Sequence, residues 1–391
     1  MNYTDIITRR VQEIPPSGIR KFFDIAAEMK DCISLGVGEP DFVTPWNIRE
    51  AGINSLRDGI TCYSSNAGLT ELRQLICEYY EKRFNVSYRP DQCLVTVGAS
   101  EGIDVSLRIL LNPGDEVLIP EPSYVSYSPC VTLAGGVPKP IVTSSENGFK
   151  LTAEALRSSI TPRTKAIIFP YPNNPTGGIM TREEMAAITH VFEGTDIVII
   201  SDEIYAELTY GSAHVSIASM PNMFERTIVL NGFSKAFAMT GWRLGYILAP
   251  RPFLEQMLKI HQYTTLCASI TSQYAGVEAM KHGLETDFAD VRAMRREYNR
   301  RRNFLVHQFN EMGMECFEPL GAFYVFPSIQ AFGMDSDTFC QTLLREQRVA
   351  LVPGTAFGAC GEGFVRCSYA YSMDHLIEVC KRIRVFLDSL K

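Results

Sequence analysis

Apolar residues recur along this chain in two alternating rhythms. Short uninterrupted runs such as Ala166-Ile167-Ile168-Phe169 and Val198-Ile199-Ile200 read as strands buried on both faces, the second running into polar Ser201-Asp202-Glu203. Elsewhere the apolar positions fall at helical intervals, as after Val95-Thr96-Val97-Gly98, where Ile103, Leu107, Leu110 and Leu111 follow. Strands alternating with helices, joined by right-handed crossovers, predict an α/β fold with a mostly parallel sheet. A charged helical run from Asp287 to Met312 is expected to bridge this large unit to a smaller one, and Phe364 to Tyr369 reads as a short strand. The stretch before the first long helical pattern is expected to pack with the C-terminal third. The expected division is an N-terminal segment over 1–45, a large domain over 46–286 and a small C-terminal domain over 287–391.

Composition narrows the chemistry. At 391 residues the chain is long enough for two lobes with substantial cores. A net charge of -7 argues against a polyanionic partner, so the arginines at 292, 295, 296, 300, 301 and 302 are expected on a solvated helix face, with no nucleic acid bound. No apolar run approaches the roughly twenty residues that span a bilayer, and Met1 to Arg10 lacks the apolar core of a signal peptide. A cytoplasmic protein without a membrane partner is the expectation. The eleven cysteines are an odd number without a CxxC pair, and the six histidines show no ligand spacing, so neither a disulfide framework nor a metal is expected.

Several segments carry residue types suited to one chemistry. In Gly232-Phe233-Ser234-Lys235-Ala236-Phe237-Ala238-Met239-Thr240-Gly241-Trp242-Arg243-Leu244-Gly245, a lysine stands among small and apolar neighbours, with an arginine eight residues on. A desolvated, cation-rich pocket lowers a lysine pKa and frees its amine as a nucleophile. Asp202 follows an apolar strand, at the end where ligands gather in open α/β sheets, although a helix N-cap is the plainer reading of such an aspartate. Tyr171-Pro172-Asn173-Asn174-Pro175-Thr176-Gly177 is a rigid turn that presents Asn174 in a fixed pose. Gly98-Ala99-Ser100 opens a helix, whose free amides and dipole favour an anion. Arg366 lies within a short strand, where an unpaired charge is costly, so it must find an anion.

These segments, in this order from about Ile33 to the C-terminus, resemble the class I and II aminotransferases of fold type I. The resemblance implies a seven-stranded, mostly parallel sheet between helices, with a smaller α/β C-terminal domain, and pyridoxal 5'-phosphate as cofactor. It implies that Lys235 holds the cofactor aldehyde, that Ser234, Arg243, Ala99 and Ser100 bind its phosphate, and that Asp202 keeps its ring nitrogen protonated. Tyr205 and Asn174 would reach the ring oxygen, and Tyr124 would stack on the ring. Arg366 would fork onto the substrate α-carboxylate with Asn174, and Gly38 would close over it from the opposite side. Tyr63 resembles the tyrosine that crosses a homodimer interface to the partner subunit's phosphate.

The resemblance further implies a ping-pong transamination between an L-amino acid and a 2-oxo acid such as 2-oxoglutarate, with Lys235 moving the α-proton. Two departures stand out: Gly232 replaces a serine that contacts the phosphate in many relatives, and Ser100 replaces a lysine of the aspartate-preferring branch. The flanking text looks most like aromatic and diaminopimelate-type aminotransferases. An aromatic donor is therefore favoured, with Ile14, Ile19, Phe323 and Tyr324 as candidate walls, though these residues suit an ordinary core as well. Arg20 is a candidate for a distal carboxylate and Glu101 for a distal amine.

Other classes compete. A carbon-sulfur β-lyase of the same fold would share the constellation. A pyridoxal-phosphate-sensing regulator would need a DNA-binding domain, for which the stretch before Ile33 leaves no room. A lysine-using aldolase would not need Asp202, Asn174 or Arg366, and no GxGxxG turn follows a strand as a nicotinamide dehydrogenase requires.

Overall fold

The computed structural model describes residues 1, 3–16 and 29–390. Its strands, in chain order, begin with β1 (Ile33–Ser34) and β2 (Cys93–Thr96), followed by β3 (Glu116–Glu121), β4 (Val137–Val142) and β5 (Thr164–Phe169). β6 (Val198–Asp202), β7 (Thr227–Gly232) and β8 (Gly245–Leu248) complete the central region. Seven of these strands form one sheet in the order β2-β8-β7-β6-β5-β3-β4. Pairing is parallel except along β8, which runs antiparallel to both β2 and β7. The mostly parallel seven-stranded sheet agrees with the expectation from the sequence.

Burial on both faces explains the uninterrupted apolar runs. Ile168 and Ile200 pack with Ile103 and Leu107 of the helix Gly98–Leu110 on one face, while Ile167 and Ile199 pack with Met185 and Ile188 of the helix Arg182–Thr189 on the other. That second helix opens on a capping box, Thr181 accepting the Glu184 amide and Glu184 the Thr181 amide. Because β2, β5, β6 and β7 run the same way, Thr96, Phe169, Asp202 and Gly232 end at one edge of the sheet.

The C-terminal region contributes a three-stranded antiparallel sheet of β9 (Tyr324–Val325), β11 (Val352–Pro353) and β12 (Val365–Ser368). β10 (Val349–Ala350) pairs in parallel with β1, so the segment after Cys32 is stitched to this region. Leu35 extends the stitch, donating its amide to Ala350 and accepting that of Ser368, both at 2.9 Å. One buried cluster joins Leu35, Tyr205 and Leu208 to Tyr298, Phe323 and Phe386.

The helix Ala289–Glu311 corrects one expectation. Arg296 and Arg300 face solvent, but Arg301 and Arg302 are buried. Arg301 donates to Asp41 at 2.8 Å and to Glu297 at 2.9 Å, and Arg302 to Glu318 at 2.8 Å. A basic run on a helix therefore holds the 36–45 segment in place as well as dressing a surface. All eleven cysteines are free thiols, and among the described residues no cluster of His, Cys, Asp and Glu has metal-binding spacing and no helix is long and apolar enough to cross a membrane.

Candidate active site

A cavity of about 590 Å3 opens where the carboxyl ends of the strands meet the C-terminal region. Of the twelve site residues expected from the sequence, it is lined by Gly38, Ala99, Ser100, Tyr124, Asn174, Asp202, Tyr205, Ser234, Lys235, Arg243 and Arg366. Tyr63 does not line it; its side chain lies on the protomer surface, 81% exposed. Parallel strands explain the convergence, since each delivers its following loop to the same edge.

Lys235 occupies the middle. The turn after β7 is closed by Phe237 N–H to Phe233 O and Met239 N–H to Ser234 O, each at 3.2 Å, which points the lysine inward. Its Nζ donates to the Gly38 carbonyl at 2.7 Å and lies 5.8 Å from the Phe323 ring centre. Burial, with the nearby Arg366 and Arg243 charges and against the pull of Glu39 and Asp202, lowers its pKa to about 8.

Asp202, at the end of β6, is buried and accepts the Tyr127 hydroxyl at 2.8 Å and the Ile204 amide at 3.2 Å. Burial raises its pKa despite those bonds; a cationic partner beside it would offset the burial and keep the carboxylate ionised. Tyr205 shares a 2.9 Å hydroxyl contact with Tyr324, and burial lifts the pKa of both phenols. Tyr127 escaped the sequence reading; the only available signal was its place three residues beyond Tyr124, with which it makes an edge-on ring contact at 5.5 Å.

At one end of the cavity, Arg366 donates to Asn174 Oδ1 at 2.8 Å and to the Gly36 carbonyl, and its guanidinium lies over the Tyr324 and Phe357 rings at 4.5 and 4.8 Å. Its buried Nε has no hydrogen-bond partner among the described residues. The Asn174–Pro175 peptide is cis. Gly38 faces this end, where a Cβ would stand 2.2 Å from the Tyr324 hydroxyl oxygen, so any side chain there would displace Tyr324.

At the other end, Gly98 has a φ of +73° and opens the Gly98–Leu110 helix, bringing Ala99 and Ser100 to the cavity beside Ser234 and Arg243. A Cβ on Gly98 would meet Arg243 Nη2 at 2.8 Å. Gly232 is dictated by packing: a Cβ there would lie 2.9 Å from both Gly245 Cα and the Leu244 carbonyl. No serine fits without a backbone shift.

The specificity candidates fare differently. Tyr324 lines the cavity, whereas Phe323 is wholly buried behind it and Ile14 lines a separate cavity of about 340 Å3 beside it. Ile19 and Arg20 lie outside the described residues. Glu101 does not reach the cavity; its carboxylate is taken by Val97, His261 and Thr265, which overturns the distal-amine assignment.

The donor set suits a phosphorylated pyridine aldehyde. It combines a helix N-terminus with a hydroxyl and a guanidinium for the phosphate, a buried carboxylate for a ring cation, and a lysine of lowered pKa for the aldehyde.

A family model described as "Aminotransferase class I and II" matches residues 30–383. A Bacillus subtilis (strain 168) relative designated YugH, provisionally named an aminotransferase, is 51% identical over 98% of this chain and 99% of its own length. An aspartate aminotransferase of Pyrococcus abyssi (strain GE5 / Orsay) is 45% identical over 98% of each chain. Among solved structures, an aromatic aminotransferase from Pyrococcus horikoshii OT3 superposes with a TM-score of 0.90 at 42% identity, covering 95% of this chain and 99% of its own.

Proposed function

This chain belongs to the class I and II aminotransferases, and from that premise we propose that it transfers the α-amino group of an L-amino acid, aromatic donors favoured, to a 2-oxo acid such as 2-oxoglutarate. Pyridoxal 5'-phosphate is the cofactor of this family. The observation that carries the proposal is the buried Lys235 amine, its pKa lowered to about 8, set between an anion-binding end and an arginine–asparagine end. Bound in this cavity, the cofactor supplies an electrophilic aldehyde carbon and a ring that accepts an electron pair.

Every other role belongs to the protein. Ser234, Arg243 and the Ala99 and Ser100 amides hold the phosphate. Asp202, fixed by Tyr127, would hold a proton on the ring nitrogen, while Tyr205 and Asn174 would serve the ring oxygen and Tyr124 the ring face. Arg366 exchanges the Gly36 carbonyl for the substrate α-carboxylate, with Asn174 beside it and Gly38 closing over the substrate. With its amine free, Lys235 Nζ would take the substrate α-proton as a base and give it back, as an acid, two bonds along. The same cavity serves the amino acid and then the oxo acid, so the two alternate in a ping-pong sequence.

Two features support an aromatic donor over a dicarboxylate. Among the described lining residues the cations are Lys235, Arg243 and Arg366, each already assigned, and the remaining wall includes Tyr324, Tyr124, Val125 and Ile103. Aspartate and diaminopimelate-type donors are the competing readings. Comparing kcat/KM for tyrosine, phenylalanine, aspartate and diaminopimelate with 2-oxoglutarate decides: aromatic donors are expected to lead. Aspartate leading, with that lead abolished in Arg20→Ala, would reject the aromatic assignment.

Tyr63 and Arg243 are both exposed on the protomer. This exposure supports a homodimer in which Tyr63 of one protomer completes the phosphate end of its partner. The division into 1–45, 46–286 and 287–391 is proposed with it, the small domain carrying Arg366 over the large domain's Lys235.

A further inference from the structure

Glu101 stands in the first turn of the helix whose N-terminus faces the phosphate end, where a free carboxylate would oppose an anion. Its side chain is turned away and fully engaged. Oε2 accepts the Val97 amide at 2.5 Å, and Oε1 accepts His261 Nδ1 at 2.7 Å and the Thr265 hydroxyl at 2.9 Å. A carboxylate only accepts, so His261 carries its hydrogen on Nδ1. His261 is completely buried and its Nε2 has no partner, so Glu101 is the ring's polar contact among the described residues. Burial pulls the Glu101 carboxyl pKa upward, but the bonds from His261, Val97 and Thr265 outweigh it and hold the group ionised.

The part of the chain gripped in this way is the turn that leads into Ala99 and Ser100. Thr96 Oγ1 donates to the Gly98 carbonyl at 2.9 Å from one side. Gly245 forms the floor, so close that a Cβ there would lie 2.6 Å from the Ala99 nitrogen. Glu101 closes the back through the Val97 amide. None of Glu101, His261 and Thr265 lines the cavity, so this clamp acts on the cofactor only through the turn.

We propose that Glu101, braced by His261 and Thr265, is a positioning residue for the cofactor phosphate: it fixes the Val97–Gly98 turn so that the Ala99 and Ser100 amides meet that group. The inference rests on the cofactor reading above.

The test compares binding of pyridoxal 5'-phosphate with that of pyridoxal, which lacks the phosphate, to the cofactor-free full-length protein by absorbance titration. Glu101→Ala is expected to raise the Kd for pyridoxal phosphate roughly tenfold to a hundredfold and to leave that for pyridoxal within about twofold. Glu101→Gln, which still accepts the Val97 amide, restores most of the phosphate-specific affinity. Thr265→Val, a smaller perturbation if Glu101→Ala folds poorly, shows the same selective loss at lower amplitude. Equal losses for both ligands, or none for either, overturn the proposal. A wild-type chain that binds neither ligand overturns the cofactor reading instead.

Discussion

The two guanidinium groups of the cavity live under opposite conditions. Arg366 is 3% exposed, hydrogen-bonded to Asn174 and Gly36, and pressed between the Tyr324 and Phe357 rings. Arg243 is exposed, sits at a φ of +52°, and among the described residues donates to the Thr240 carbonyl alone, at 3.1 Å. The proposed carboxylate end is thus preorganised within one protomer, with the Arg366 fork oriented by Asn174 and by the Gly36 carbonyl that substrate would replace. The phosphate end gains its precision from backbone, through the Gly98 turn, and leaves its arginine at an open edge where a partner's Tyr63 would arrive. In the proposed reaction, substrate is exchanged at every turnover and needs a rigid reader, whereas a cofactor anchored by Lys235 would tolerate a grip assembled from two chains.

Lys235 joins the two ends, so its removal has the largest expected effect. Lys235→Ala is expected to lower the transamination rate by roughly 10⁴-fold or more, and retention of near-native turnover would dismiss the role. The lowered pKa gives a pH dependence of known sign. Below about 8 the amine is protonated, so the rate at which the cofactor-free protein captures pyridoxal phosphate rises roughly tenfold per pH unit and levels above about 8. A rise continuing towards the ordinary lysine range would show that the amine is not desolvated.

Arg366→Lys keeps the charge but loses the fork. It is expected to cut kcat/KM roughly 100-fold with the cofactor Kd unchanged. Arg243→Ala should do the reverse, raising the cofactor Kd roughly tenfold to thirtyfold while saturating cofactor restores most of kcat/KM. If both variants damage substrate and cofactor binding alike, the division of the cavity into two ends fails. The smallest effect is expected from Tyr63→Phe, about a threefold to tenfold loss of cofactor affinity. Mixing Tyr63→Ala with Lys235→Ala should give activity above the average of the two, because a mixed dimer contains one site with both native residues. Strict averaging would rule out a shared site.

The same contrast explains what the sequence disclosed. Residues whose chemistry is bound to a local motif were legible: Lys235 in its glycine-bounded string, Asn174 between prolines, Asp202 at the end of an apolar strand, Arg366 within one. The mostly parallel sheet was legible because strands buried on both faces leave continuous apolar runs. What depends on distant partners was not. Tyr127 acquires its meaning from Asp202, 75 residues away, and Glu101 from His261, 160 residues away, so no local pattern announces either. Arg301 and Arg302 read as surface residues because the acids that pair with them, Asp41 and Glu318, come from other segments. Ile14 was a candidate wall on its apolar character, and the fold puts it in the neighbouring cavity.

The central claim is that Lys235 and its surroundings carry out half of a transamination with one substrate present. The most direct measurement adds tyrosine, then separately the other donors, to the cofactor-loaded protein without any oxo acid and follows both the cofactor absorbance and the released product. The account predicts conversion of the cofactor band with release of one equivalent of 2-oxo acid per site and no free ammonia, and no conversion in Lys235→Ala. Continuous release of ammonia with pyruvate, or a cofactor band that no donor converts, would contradict it.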